Sequence, residues 1–191
     1  MNKLTISLAI AFTVVILTTS CDKSNNNYNG VSTSLTKYGA IKEKSWYKFY
    51  DSLGTGKDCV VVEKVSNIFN PLAGESDENL YQTITIKFRH YPSKDSSIIE
   101  MVRDKSSSTF KFINRSKEET VVLTDPITNG VAGKIIDSLK SGKRWFTDVL
   151  VITEAQNPNR TIFFANGKGL IKQKYATSPA QNWIIDTLVI K

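Results

Sequence analysis

One histidine and two cysteines are all that this 191-residue chain holds of the side chains that most often ligate transition metals or pair as nucleophile and base. A zinc site wants four ligands, usually from those residue types, so the chain is poorly served for one. Calcium loops need carboxylates spaced around a glycine, and neither Asp77-Glu78 nor Glu118-Glu119 supplies that frame. No metal and no cofactor is expected. Two cysteines also exclude a disulfide framework. Beyond residue 20 no apolar run approaches the roughly 18 residues that a membrane-spanning helix needs.

The longest apolar run lies at the N-terminus. Lys3 precedes Leu4 to Leu17, and Thr18-Thr19-Ser20 lead into Cys21. A single charge, a run of this length and small residues before a cysteine read as a secretory signal over residues 1–20. The cysteine at that place is expected to carry a lipid anchor, the alternative being an ordinary secreted protein in which Cys21 is incidental. Residues 21–36, opening Asp22-Lys23-Ser24-Asn25-Asn26-Asn27, are polar and low in complexity, so a flexible tether is expected there. Residues 37–191 are long enough for one domain with its own core.

The formal charge is +7, and loss of Lys3 with the signal leaves +6. The excess is spread along the chain rather than blocked, which favours solvation over nucleic-acid binding, and no nucleic-acid partner is expected.

Aromatic and β-branched residues are frequent after residue 40, which favours strands. Leu80 to Tyr91 alternates cleanly: Ile84, Ile86 and Phe88 point one way, Thr83, Thr85, Lys87 and Arg89 the other. Strands are also expected at 45–51, 58–68, 97–103, 108–114 and 118–124, with Phe110 and Phe112 on one face. The C-terminal third reads as a four-stranded meander over 145–154, 160–165, 170–175 and 182–190, joined by short turns. In its last strand, Trp183, Ile185, Thr187 and Val189 alternate with Ile184, Asp186, Leu188 and Ile190. Ile135, Ile136 and Leu139 have helical spacing before Ser141-Gly142, so 133–139 is predicted as one short helix. The fold class is all-β: a curved antiparallel sheet, as half-barrel or sandwich, with at most that helix.

Site candidates are few. Cys59, in Cys59-Val60-Val61-Val62, is expected to pack as a small buried hydrophobe. A Ser-His-Asp arrangement would have to use His90, which reads as a strand-end residue with an ordinary hydrogen bond, so no catalytic residue is assigned. Asp148 and Asp186 sit among apolar residues, and two carboxylates brought together could serve glycoside chemistry. Trp46 and Tyr50 fall on the face opposite Tyr47 and Phe49 and, with Trp183, are candidates for ligand stacking.

The placement of Cys21 after small residues resembles the lipobox of bacterial lipoproteins. That resemblance implies cleavage before Cys21, acylation of it by diacylglycerol and a fatty acid such as palmitate, and a membrane as partner. Further on, Thr161-Ile162-Phe163-Phe164-Ala165-Asn166-Gly167-Lys168-Gly169-Leu170-Ile171-Lys172 resembles a hairpin near the C-terminus of Bacteroidetes lipoproteins of unknown function. The resemblance covers about the last 50 residues and implies a curved antiparallel sheet on a membrane-anchored domain; the expected location is the cell envelope, lipid-anchored at the outer membrane. It carries no catalytic residues. The expected role is a non-catalytic binding or envelope-assembly module, with a hydrophobic ligand, a glycan or an envelope protein as partner. The alternative is a glycan-binding or carbohydrate-active envelope protein.

Overall fold

The computed structural model describes residues 26–54, 56–114, 119–125, 133–154, 160–176 and 181–191. Its strands are β1 (Asn27–Asn29), β2 (Trp46–Asp51), β3 (Lys57–Pro71), β4 (Asn79–Tyr91), β5 (Ser96–Arg103), β6 (Ser108–Asn114), β7 (Glu119–Asp125), β8 (Gly133–Ser141), β9 (Arg144–Glu154), β10 (Arg160–Ala165), β11 (Gly169–Tyr175) and β12 (Gln181–Val189). One helix, α1, spans Thr33–Thr36. All twelve strands join one sheet in the order β7-β6-β5-β4-β3-β2-β12-β11-β10-β9-β8, with β1 parallel to β4 off this path. The other pairings are antiparallel, and the sheet curls into a half-barrel. The curl brings β7 back towards β9. The expected C-terminal meander is β9 to β12.

Alternation decides which face turns inward. Tyr47 and Phe49 on β2, Val60 and Val62 on β3, Ile86 and Phe88 on β4, and Phe110 and Phe112 on β6 are all buried. Phe164 of β10 meets Phe110 edge-on at 5.0 Å and Phe112 at 5.7 Å, so the two limbs of the curl touch through aromatic rings.

One end of the half-barrel is plugged by the N-terminal segment. The Ser32 side chain accepts from Ser34 N at the start of α1, and Leu35 and Tyr38 are fully buried, with Val31 and Ile41 beside them. Val31 N donates to Gln82 Oε1 (2.8 Å), Ser32 N to Ser108 Oγ (3.0 Å) and Gly167 N to Lys37 O (2.7 Å). Residues 27–36 therefore belong to the folded unit, whereas the sequence places them in the tether. Val31 and Leu35, too sparse to register as a pattern, are what draws them in. The only helix among the described residues lies here.

Residues 133–139 are strand, not helix. Ile135, Ile136 and Leu139 keep their helical spacing in sequence, but a two-residue turn at Gly142-Lys143 sets them beside β9, from Gly133↔Ile152 to Ser141↔Arg144. The pairing partner overrides a weak local preference. This hairpin bends at Asp148, whose φ of 51° lies in the left-handed region. The bend carries the turn across the outer face of the meander. Ser141 Oγ donates to Ile171 O (2.9 Å), and a Cβ on Gly142 (φ 61°) would lie 2.5 Å from Ile185 O and 3.6 Å from the Tyr50 hydroxyl.

Two further expectations change. A bulge between Ile185 and Thr187 breaks the alternation of β12, so Leu188 pairs with inward-facing Tyr47 and packs on the core, while Asp186 is exposed. Cys59 is half-buried rather than buried, because it faces outward beside Lys48 and Tyr91.

Candidate polar site at one end of the half-barrel

Opposite the plugged end, the inner face turns polar. The carboxyl ends of β2, β4 and β11 meet the amino ends of β3, β5, β10 and β12 there. Three adjacent strands contribute Asp58, His90 and Ser97, placed inward by the parity that buries Val60, Phe88 and Ile99. His90 Nδ1 stands 2.7 Å from Asp58 Oδ2 and His90 Nε2 stands 2.8 Å from Ser97 Oγ. With the proton on Nδ1, the imidazole donates to Asp58 and its Nε2 accepts the Ser97 hydroxyl proton, the line a nucleophilic serine requires. Ser97 is only 1% exposed and His90 9%, so the chain of bonds is largely closed to water. A buried polar group is stable only when bonded, and each of these is.

Across the interior, Arg160 of β10 is also 1% exposed. Its guanidinium lies 5.3 Å from the ring centres of both Phe112 and Tyr175, and it donates to Gln173 Oε1. Tyr175 donates to the same oxygen at 3.3 Å. The row Ile162, Gln173, Trp183, Asp51 crosses four neighbouring strands, which puts half-buried Trp183 on this inner face, packed by Gly56. Buried Asp51 accepts from Leu53 N (3.1 Å). An isolated buried charge is costly, so the arrangement depends on these bonds and ring contacts. One inner hydroxyl differs. Tyr47 Oη is buried with no hydrogen-bond partner among the described residues, and burial pushes its pKa well up.

At the plugged end Asp148 accepts from Lys37 Nζ (2.7 and 3.0 Å), the Tyr38 hydroxyl (2.8 Å) and Asn166 Nδ2 (2.9 Å). Partial burial raises the carboxyl, but the three donors and the Lys37 charge outweigh it and hold it below the usual carboxylate value. Burial, and then the bond to Asp148, push the Tyr38 hydroxyl up.

The residues singled out in the sequence do not form one site. Trp46 and Tyr50 stand on the outer face and Trp183 on the inner. Asp148 is tied into the plug, whereas exposed Asp186 pairs with Lys48 at 3.8 Å, so the two carboxylates share no partner. Cys21 lies outside the described residues. Alternation along Leu80 to Tyr91 sets His90 on the face of Ile86 and Phe88, whereas Asp51, Asp58, Ser97, Arg160 and Gln173 are not among the residues the sequence singles out. The one local signal was Arg160 at the head of the apolar strand Thr161-Ile162-Phe163-Phe164. Among the described residues no group of three His, Cys, Asp or Glu could hold a metal ion, and no helix is long and apolar enough to cross a membrane. Compared with protein-family models, with curated proteins and with solved structures, the chain matches none.

Proposed function

We propose that this chain is a lipid-anchored protein of the cell envelope, held at the outer membrane by acylated Cys21, whose half-barrel is a non-catalytic binding module. The observation that carries the binding reading is the polar rim. Arg160, Gln173, Asp51 and the Asp58–His90–Ser97 line gather at one end of an otherwise apolar inner face, beside half-buried Trp183. Barrel mouths with a few convergent polar groups are common ligand sites. The core side chains of β2–β6 and β9–β11 occupy the rest of the inner face, which favours a polar ligand at the rim over a deeply seated apolar one. A glycan fits best, because the half-buried Trp183 indole offers a stacking face and the half-buried Asp58 carboxylate an acceptor for a hydroxyl. The protein from residue 21 onward is titrated with a panel of envelope oligosaccharides, with indole NMR signals as the readout. The expectation is that one glycan class shifts the Trp183 signal and that Trp183→Ala weakens its binding about tenfold. Binding unaffected by that substitution, or none across the panel, would sink the reading. Anchoring is tested separately: palmitate is expected to label the full chain and not Cys21→Ser.

A second reading rests on the 2.7 and 2.8 Å distances of the Asp58–His90–Ser97 line. In it, an opening of this end of the half-barrel uncovers the buried Ser97, whose Oγ attacks an ester carbonyl carbon while His90 Nε2 takes the hydroxyl proton. That proton then passes to the departing alcohol, and water repeats the step to release the acid. A fluorophosphonate is expected to label wild type and not Ser97→Ala. An unlabelled wild-type protein removes this reading.

A further inference from the structure

The two halves of the outer face treat charge differently. On β4 to β6 and the middle of β3, Glu63 holds Lys87 (2.9 Å) and Arg89 (2.8 Å) and Glu100 holds Lys111 (3.3 Å), which leaves Lys64 there as an exposed cation without an ion pair among the described residues. On the other half, one row crosses four strands as Lys172, Ile184, Tyr50 and Lys57, with Lys174 on β11 and Lys48 on β2 close by. The β8–β9 turn rests on this row, its Gly142 against Ile184 and Tyr50. Lys143 and Arg144 there are exposed, as are Lys140 and Trp145, which are directly paired across the hairpin. Trp145 is the most exposed large apolar side chain among the described residues, at 69%. Of these cations only Lys48 has an ion pair among the described residues, with Asp186; Asp137 is a second exposed acid on this side.

We infer that this basic, aromatic half of the outer face docks on a bilayer surface bearing anionic headgroups. The geometry favours that occupant on three counts. Cations near an anionic leaflet are drawn to it, and apart from Lys48 these have no ion pair among the described residues to give up. An indole next to lysines is the side-chain combination that settles at the headgroup level. The first strand begins six positions after Cys21, a reach of at most about 20 Å for an extended chain, so an acylated Cys21 holds this domain beside the lipid. That third count rests on the anchoring reading; the first two do not. One acyl chain binds only marginally, so a second contact of this kind would add to retention and fix the domain's orientation.

The test uses the chain from residue 21 with Cys21→Ser, which removes no described element of the fold and cannot be acylated. It is mixed with vesicles of phosphatidylcholine alone and with vesicles in which about one lipid in three is phosphatidylglycerol, and bound protein is sedimented. Binding is expected to the anionic vesicles only, weakening as salt rises. The pair Lys143→Glu and Arg144→Glu is expected to lower the partition coefficient at least about tenfold, and Trp145→Ala several-fold. Lys111→Glu, on the ion-paired half, is expected to leave it within about twofold. Circular dichroism confirms that each variant is folded. Equal binding to both vesicle types, no binding, or equal losses from Lys111→Glu and the Lys143/Arg144 pair overturns the inference. So does salt-sensitive binding to an acidic polysaccharide without binding to vesicles. Palmitate labelling of the full chain reports on anchoring independently, so the two readings can fail separately.

Discussion

Ile86 and Phe88 of β4 are buried while Thr85, Lys87 and Arg89 on its other face remain in partial contact with water. In β9 and β10 both faces are buried: Leu150, Ile152, Ile162 and Phe164 on one, Val149, Val151, Phe163 and Ala165 on the other. The same kind of antiparallel strand thus covers one face in the first half of the sheet and two in the second. The difference traces to Asp148, where β9 turns and the β8–β9 hairpin folds over the meander. A left-handed backbone costs a non-glycine residue roughly 1–2 kcal/mol. The four hydrogen bonds to the Asp148 carboxylate offset that and tie the bend to the plug. A single sheet acquires a local second layer without a second sheet.

The comparison is broken most severely where the halves meet. Phe164→Ala removes the fully buried ring that contacts both Phe110 and Phe112 and is expected to cost about 3–5 kcal/mol, read from chemical denaturation. A loss under about 1 kcal/mol would mean that the limbs do not depend on this contact.

Next comes the hairpin that makes the second half two-layered. In Gly142→Ala the new Cβ meets both a left-handed backbone and the Ile185 carbonyl, and about 2–4 kcal/mol is expected. Gly167→Ala is the control, since its φ of 64° is similar but its Cβ position is open; about 1 kcal/mol is expected. Equal costs for the two would show that the hairpin is not seated on the meander.

The bend itself gives a smaller effect with a pH signature. Asp148→Asn removes a carboxylate that is 32% exposed, so about 1 kcal/mol is expected at neutral pH. Because its folded pKa is lowered, its contribution is complete above the unfolded value of 3.8 and fades as pH falls through the lower folded value. Wild type and variant should therefore converge in stability in acid, and a gap that persists unchanged would place the effect on packing instead.

Most strands could be read from period-two alternation and turn chemistry, because those signals are local. Leu80 to Tyr91 and Arg160 to Ala165 came within a residue of their observed bounds. What failed was everything set by a distant partner. β8 is a strand because β9 lies beside it, β12 switches faces because a bulge intervenes, and 27–36 folds because the barrel end needs filling. The polar rim failed for the same reason. Alternation puts His90 on the inner face, but only register brings Asp58 and Ser97 to its two ring nitrogens. Trp46, Tyr50 and Trp183 are similar in sequence setting, yet strand parity divides them between opposite faces of the sheet.

The smallest expected effect tests the one-faced half. Glu63→Gln removes the carboxylate that Lys87 and Arg89 both contact, and those two bonds, the Lys87 one first, hold its pKa below the usual value. Its stabilising contribution should be present above the ordinary glutamate range and fade as pH falls through the lowered folded value. All three side chains are well solvated, however, and ion pairs of that kind are screened and entropically costly to hold. Thermal melting at neutral pH is therefore expected to fall within error of wild type, while the same substitution leaves Lys87 and Arg89 without their partner. If vesicle binding by the outer face depends on unpaired cations, Glu63→Gln should raise it slightly without touching stability. A loss of stability comparable to Asp148→Asn would mean that the solvated half is held by its outer charges as firmly as the covered half is by its bend, and the contrast between them would no longer hold.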